Sequence, residues 1–194
     1  MGLSEWLSPM YLNQYGKDMN MSISRPLKTR KLTVIALAVA LLSVSAMLTV
    51  PFFAIPFTMQ SFAVLTVLSL LGAKAGGVAI LAYLALGATG LPVFSGFTGG
   101  IGVLFGPHGG FLLGFLLAPL CFALLPRRRL LASLLSVLLY NIIGSLWYYF
   151  LFAFGSGYLA SLSVTVLPFL LPDAVKLALS QLVAKRCCAF MGAS

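Results

Sequence analysis

Polar and apolar positions alternate along this chain by whole segments rather than by helix turns. Residues 1–31 are mixed and polar and close on Arg25, Lys28, Arg30 and Lys31. Six apolar runs follow, at about 32–50, 57–73, 78–90, 108–125, 130–152 and 167–184. Each is read as one membrane crossing, because a helix of roughly 20 apolar residues matches a hydrocarbon core of about 30 Å; the second and third runs are short. Two kinds of interruption separate the runs. Lys74, Pro126-Arg127-Arg128-Arg129 and Lys185-Arg186 fall on one side, and Gly76-Gly77 is the expected turn beside Lys74. Pro51 to Pro56 with its aromatic filling, the segment after residue 90, and 153–166 with Gly155 and Gly157 fall on the other. Basic residues accumulate on the cytoplasmic side. The expected fold class is therefore an all-α polytopic membrane protein of six transmembrane helices, with N- and C-termini cytoplasmic. Its parts are a leader, 1–31, a transmembrane domain, 32–186, and a short tail, 187–194.

Composition sharpens this picture. Of 194 residues 61% are hydrophobic and 8% charged, with a mean hydropathy of +1.08. Soluble domains carry about 25% charged residues, so a soluble reading is excluded. The net charge of +9 lies in clusters between apolar runs, which is membrane topology and not a nucleic-acid surface. The first run follows a long polar leader and lacks a small-residue cleavage site, so a retained helix is expected. Trp6, Met10, Tyr11 and Tyr15 of the leader are candidates to rest at the interface. Cys121, Cys187 and Cys188 have no metal-ligand spacing and read as reduced thiols.

The stretch 90–110 holds eight glycines and two prolines. It disfavours continuous helix by about 1 kcal/mol per glycine and 3 per proline. Irregular backbone is not tolerated against lipid, so this segment is expected outside the bilayer or lining an enclosed cavity. Small residues at Gly106, Gly110, Gly114 and Ala118 form a face for close helix packing. Ala36 and Ala40, with Ser43 nearby, form a similar face on the first run, either for internal packing or for docking a partner.

Glu5 and Asp18 lie in the leader, leaving Asp173 as the lone acid of the spanning region, with Lys176 three residues on and on the same helical face. An ionisable group there costs about 2.5–3.5 kcal/mol and is a functional candidate by default. The plain alternative is a self-neutralising ion pair; another lets Lys176 snorkel outward and leaves Asp173 to a ligand. A carboxylate accepts N–H bonds from an amide or urea, and an ammonium donates to a carbonyl or carboxylate oxygen. Thr58 and Gln60 at the mouth of the second run are weaker ligand candidates. Asn141, with Gly144 and Ser145, reads as an interhelical hydrogen-bond site, and Trp147, Tyr148 and Tyr149 as an outer aromatic belt. His108, the single histidine, has no second ligand for a metal. No catalytic set can be assembled from one histidine and one membrane acid, and no phosphate loop of the form G-x-x-x-x-G-K-[ST] is present. The expectation is a non-enzyme without a metal or cofactor.

Gly90-Leu91-Pro92-Val93-Phe94-Ser95-Gly96, then Gly99-Gly100, then Gly106-Pro107-x-Gly109-Gly110-Phe111-Leu112-x-Gly114-Phe115 strongly resembles the signature of the BioY family, the biotin-binding S-components of energy-coupling factor transporters. Pro56-Phe57-Thr58-Met59-Gln60 and Leu167-Pro168 through Pro172-Asp173-x-x-Lys176 are also similar to the family's segments. The resemblance implies a six-helix S-component bundle in a bacterial cytoplasmic membrane that captures biotin at the extracytoplasmic face. It implies that biotin's ureido head meets Asp173 and Lys176, with Phe94, Gly96, Phe97, Gly99 and Gly100 around the rings; Phe57 and Gln60 at the mouth of the second run, and Tyr148 facing inward from the aromatic cluster, are further ligand candidates by position. It implies a transmembrane T-component docked on Ala36 and Ala40, and two cytoplasmic ATPase subunits. This chain departs from the family's usual residues at Gly96 and at His108, where members often carry a polar residue and a small hydroxyl residue. An S-component for another heterocyclic vitamin and a ligand-free membrane scaffold are the competing readings.

Overall fold

The computed structural model describes residues 29–50 and 57–192. The leader up to residue 28, its aromatic residues and the turn between Pro51 and Pro56 lie outside the described residues. The chain divides into two compact units, Met1–Leu37 and Ala38–Ser194. Of the first, residues 29–37 are described and are helical. They begin helix α1, Thr29–Met47.

In the second unit, two-residue strands β1 (Thr49–Val50) and β2 (Phe57–Thr58) pair antiparallel. Then come α2 (Gln60–Ala88), a short 3-10 turn (Ser95–Phe97), α3 (Ile101–Leu104) and α4 (Gly109–Leu124). The chain continues through α5 (Arg129–Phe152), α6 (Tyr158–Thr165) and α7 (Leu167–Gly192). Among the described residues four helices, α1, α2, α5 and α7, are long and apolar enough to cross a membrane. Buried hydroxyls within these apolar helices turn back on their own backbone: Thr66 donates to the Phe62 carbonyl and Ser136 to that of Ala132. Each O–H is thereby satisfied where water is excluded.

Helix α2 is not one rod. Gly72 at its middle has φ 73° and ψ −179°, a conformation open in practice to glycine alone. Gln60 and Tyr83, 23 residues apart, would be separated by roughly 34 Å on a straight helix. Instead Gln60 Nε2 donates to the Tyr83 hydroxyl at 3.0 Å. The chain therefore folds back at Gly72, and the two halves form a hairpin. The expected turn at Gly76-Gly77 is thus corrected. Gly76 is helical and lies where the halves press together, since a Cβ there would meet Leu68. Nothing occupies the space a Cβ would take at Gly72, so Gly72→Ala carries only a backbone cost. We expect about 1–3 kcal/mol of destabilisation, read as a lower thermal midpoint of the detergent-solubilised protein; an unchanged midpoint would refute the hairpin's dependence on this residue.

The row Gly110, Gly114 and Ala118 lies against α5. A side chain at Gly110 would strike Trp147, and one at Gly114 would strike Tyr140. Trp147 is half-buried in this contact, and its Nε1–H donates to the Gly106 carbonyl at 3.1 Å. The segment 153–166 also differs from the expected loop. It contains α6, whose buried face is Ser161 and Thr165, and whose Tyr158 hydroxyl lies 3.2 Å from Ser145 Oγ. A helix that buries hydroxyls shows no apolar stripe, so periodicity could not reveal it. Toward the C-terminal end of α7, Gln181 Nε2 donates to Ser69 Oγ at 3.0 Å and to Ser133 Oγ at 2.8 Å. That contact ties α2, α5 and α7 together through one amide.

Candidate ligand-binding site

Between α2, α4, α5 and α7 the second unit encloses a cleft of about 650 Å³, counting its open mouth. One side is apolar: Phe111, Leu112 and Phe115 of α4, Phe169 of α7, and Phe94 and Val103 from the glycine-rich segment. The other carries Ser61, Tyr140, Asn141, Asp173 and Lys176.

The acid and the amine are each 5% exposed. Spacing of three along α7 places them on one face, and packing closes the rest. Lys176 Nζ lies 3.3 Å from Asp173 Oδ1 and donates to Ser61 Oγ at 3.1 Å. It also stands 4.0 Å above the centre of the Phe57 ring, a cation–π contact. Lys176 therefore points inward and does not snorkel. Asp173 Oδ2 accepts from the Tyr140 hydroxyl at 3.1 Å and from Asn141 Nδ2 at 3.2 Å. A carboxylate has about four acceptor positions; three are used, and one remains on Oδ1. The Asn141 amide N–H group is spent on Asp173 and on the Val137 carbonyl. In this arrangement a carboxylate is held by three donors beside an apolar wall, the pattern that fixes a polar head while burying an apolar body.

The glycine-rich segment is moored to the end of α2. Tyr83 donates its hydroxyl proton to the Val93 carbonyl at 3.1 Å, and Gly100 N–H to the Gly87 carbonyl at 2.7 Å. Phe94, 1% exposed, stands edge-on to Tyr83 with ring centres 5.5 Å apart and covers Gly87. An antiparallel bridge joins Phe94 to Thr98, turning through Gly96 and Phe97, both with positive φ.

Of the residues anticipated from sequence, Gln60, Phe94, Asp173 and Lys176 share the cleft wall, and Phe57 lies against Lys176. Gly96, Phe97, Gly99, Gly100 and Tyr148 are not part of that wall; Phe97 is 67% exposed, and Tyr148 stacks on Phe152. Ala36 and Ala40 are both exposed. Tyr140, Ser61 and Phe169 were missed. The signal for Tyr140 was faint: a hydroxyl and an amide, Tyr140-Asn141, adjacent inside an otherwise apolar run.

His108 also lines the cleft, in the loop just ahead of α4. No cluster of His, Cys, Asp and Glu that could hold a metal occurs among the described residues.

Comparison with known proteins places this geometry. The BioY family model matches residues 18–193. A Pyrococcus horikoshii protein, "Probable biotin transporter BioY", is 38% identical over 82% of this chain and 97% of its own length. The "Biotin transporter BioY" of Thermotoga maritima is 37% identical over 81% of this chain and 95% of its own. A solved structure, described as the S-component for biotin from an ECF-type ABC transporter, superposes with a TM-score of 0.77 at 27% identity. It covers 84% of this chain and 93% of that one. The chain belongs to the BioY family.

Proposed function

We propose that this chain is a biotin-binding transport subunit, not an enzyme, that captures biotin at the outer face of a cytoplasmic membrane. The observation that carries the reading is the held carboxylate–ammonium pair opening onto an aromatic-walled cleft. A cyclic urea offers N–H donors for the free acceptor position on Asp173 and a carbonyl for the remaining Lys176 donor, while its fused ring and arm suit the phenylalanine wall. Phe57 and Gln60 support the head site from beneath; Gly96, Phe97, Gly99, Gly100 and Tyr148 belong to the mouth, where the glycine-rich segment acts as part of a lid.

The α2 hairpin supports six crossings, because its two halves run in opposite directions. Helix α4 leads from the cleft to Arg127-Arg128-Arg129, a rise of about 24 Å for its 16 residues. With arginines on the cytoplasmic side, the cleft opens outward and both termini lie inside. Energy for uptake comes from an ATP-driven module of two ATPase subunits and a T-component, which docks on the exposed Ala36 and Ala40 of α1.

Titration calorimetry of the purified chain tests the ligand. Biotin is expected to bind with a Kd below about 1 µM, a binding free energy beyond roughly −8 kcal/mol, and thiamine and riboflavin to give no saturable heat. Absence of biotin heat at micromolar protein would overturn the reading.

A further inference from the structure

The cleft has a second polar point that the head site leaves unused. His108 Nδ1 is buried and has no hydrogen-bond partner among the described residues. Position 108 is the N-cap of α4, where a side chain ordinarily bonds the first free backbone N–H groups, yet His108 makes no such bond. A buried polar atom without a partner costs free energy that a ligand atom would recover. Helix geometry fixes its place relative to the acid. His108, Phe111, Leu112 and Phe115 follow one another down the face of α4 that lines the cleft. Phe115 packs edge-on against Tyr140 with ring centres 5.1 Å apart, and Tyr140 holds Asp173. Seven residues of helix separate His108 from that level, about 10 Å along the axis. The order down the cleft is thus a nitrogen at one end, an apolar middle, and the carboxylate–ammonium pair at the other.

We propose that His108 Nδ1–H donates to the carboxylate of the bound vitamin's pentanoate arm, so that the histidine selects the free acid over its uncharged derivatives. The assignment rests on the biotin reading above. An imidazole can carry a proton on Nδ1, and a carboxylate acceptor selects the form that does. Lys176 is held at the far end by Asp173 and Ser61; the hydroxyls of Thr58 and Ser95 also line the cleft, but His108 Nδ1 is the buried atom there without a partner among the described residues. A hydrogen bond to a charged acceptor is stronger than a neutral one, so loss of the nitrogen is read more strongly on the acid than on its ester.

The test compares biotin with biotin methyl ester on the unaltered chain, His108→Phe and His108→Gln by titration calorimetry. The unaltered chain is expected to favour the acid by about tenfold or more. His108→Phe should weaken acid binding by a similar factor and ester binding by clearly less, and saturable ester binding also shows that the variant is folded. His108→Gln, which keeps an N–H donor, should recover part of the preference. If His108→Phe leaves the acid-to-ester ratio as it was, whether both ligands hold or both weaken, the assignment of the carboxylate fails while the biotin reading stands. If the unaltered chain binds neither compound, the biotin reading itself fails and takes the assignment with it.

Discussion

Asp173→Asn is expected to weaken biotin binding by at least about 100-fold and to lower the stability of the empty protein. Three donors converge on this carboxylate, from Tyr140, Asn141 and Lys176. An asparagine offers a single oxygen, so its own NH₂ must face one of those donors. The change also strands the ammonium of Lys176, which is buried against Phe57 and Ser61. Removing one partner of a buried pair costs about 3–5 kcal/mol, because the remaining charge is uncompensated. Replacing the ammonium as well removes that uncompensated charge. The double variant Asp173→Asn with Lys176→Met should therefore melt nearer the unaltered protein while still failing to bind biotin. That split separates the site's chemistry from its contribution to folding. Retention of biotin affinity within about threefold in Asp173→Asn would end the case for this head site.

Gly114→Val is the second large effect expected. An added Cβ at Gly114 would lie 2.5 Å from the Cα of Tyr140, against backbone that no rotamer change can move aside. Helices α4 and α5 would have to separate along a contact built from small residues. Overpacking of this kind costs about 1–3 kcal/mol, and in a chain of this length each kcal/mol lowers the melting midpoint by roughly 2–4 °C. The displacement also carries Tyr140 away from Asp173, so biotin binding should fall with stability. Gly102→Ala is the control, as nothing lies within 4 Å of its Cβ position; it should melt like the parent. Equal midpoints for Gly114→Val and the parent, in size-exclusion peaks of equal shape, would contradict the close α4–α5 approach.

These two variants mark where linear reading stops. The spacing of Gly110, Gly114 and Ala118 announced a close helix contact, because small side chains at every fourth position share one face wherever the helix packs; Gly106, counted with them, lies in the turn ahead of the helix. The spacing did not say which helix would come. Likewise the three-residue separation of Asp173 and Lys176 put them on one face, and the ion pair forms. The donors that orient Asp173 come from 32 and 33 residues earlier, and no local pattern links them. Trp147 next to two tyrosines read as an interfacial belt, and its hydrogen bond was hidden for the same reason: its partner, the Gly106 carbonyl, is 41 residues away.

By itself the sequence determined the membrane character, the apolar segments, the basic clusters between them and the family signature in 90–115. All are properties of composition and near-neighbour spacing, and burial in lipid acts on each segment independently. Tertiary structure alone decided that the chain reverses at Gly72 rather than at Gly76-Gly77, that 158–165 is a helix, and that Tyr140, Ser61 and His108 face the same space as Asp173. Those outcomes depend on which surfaces meet, and in an apolar bundle nearly every helix face is hydrophobic enough to meet any other. Steric fit at glycines and the pairing of a few buried polar atoms choose among the possible arrangements, and both are contacts between residues far apart in the chain.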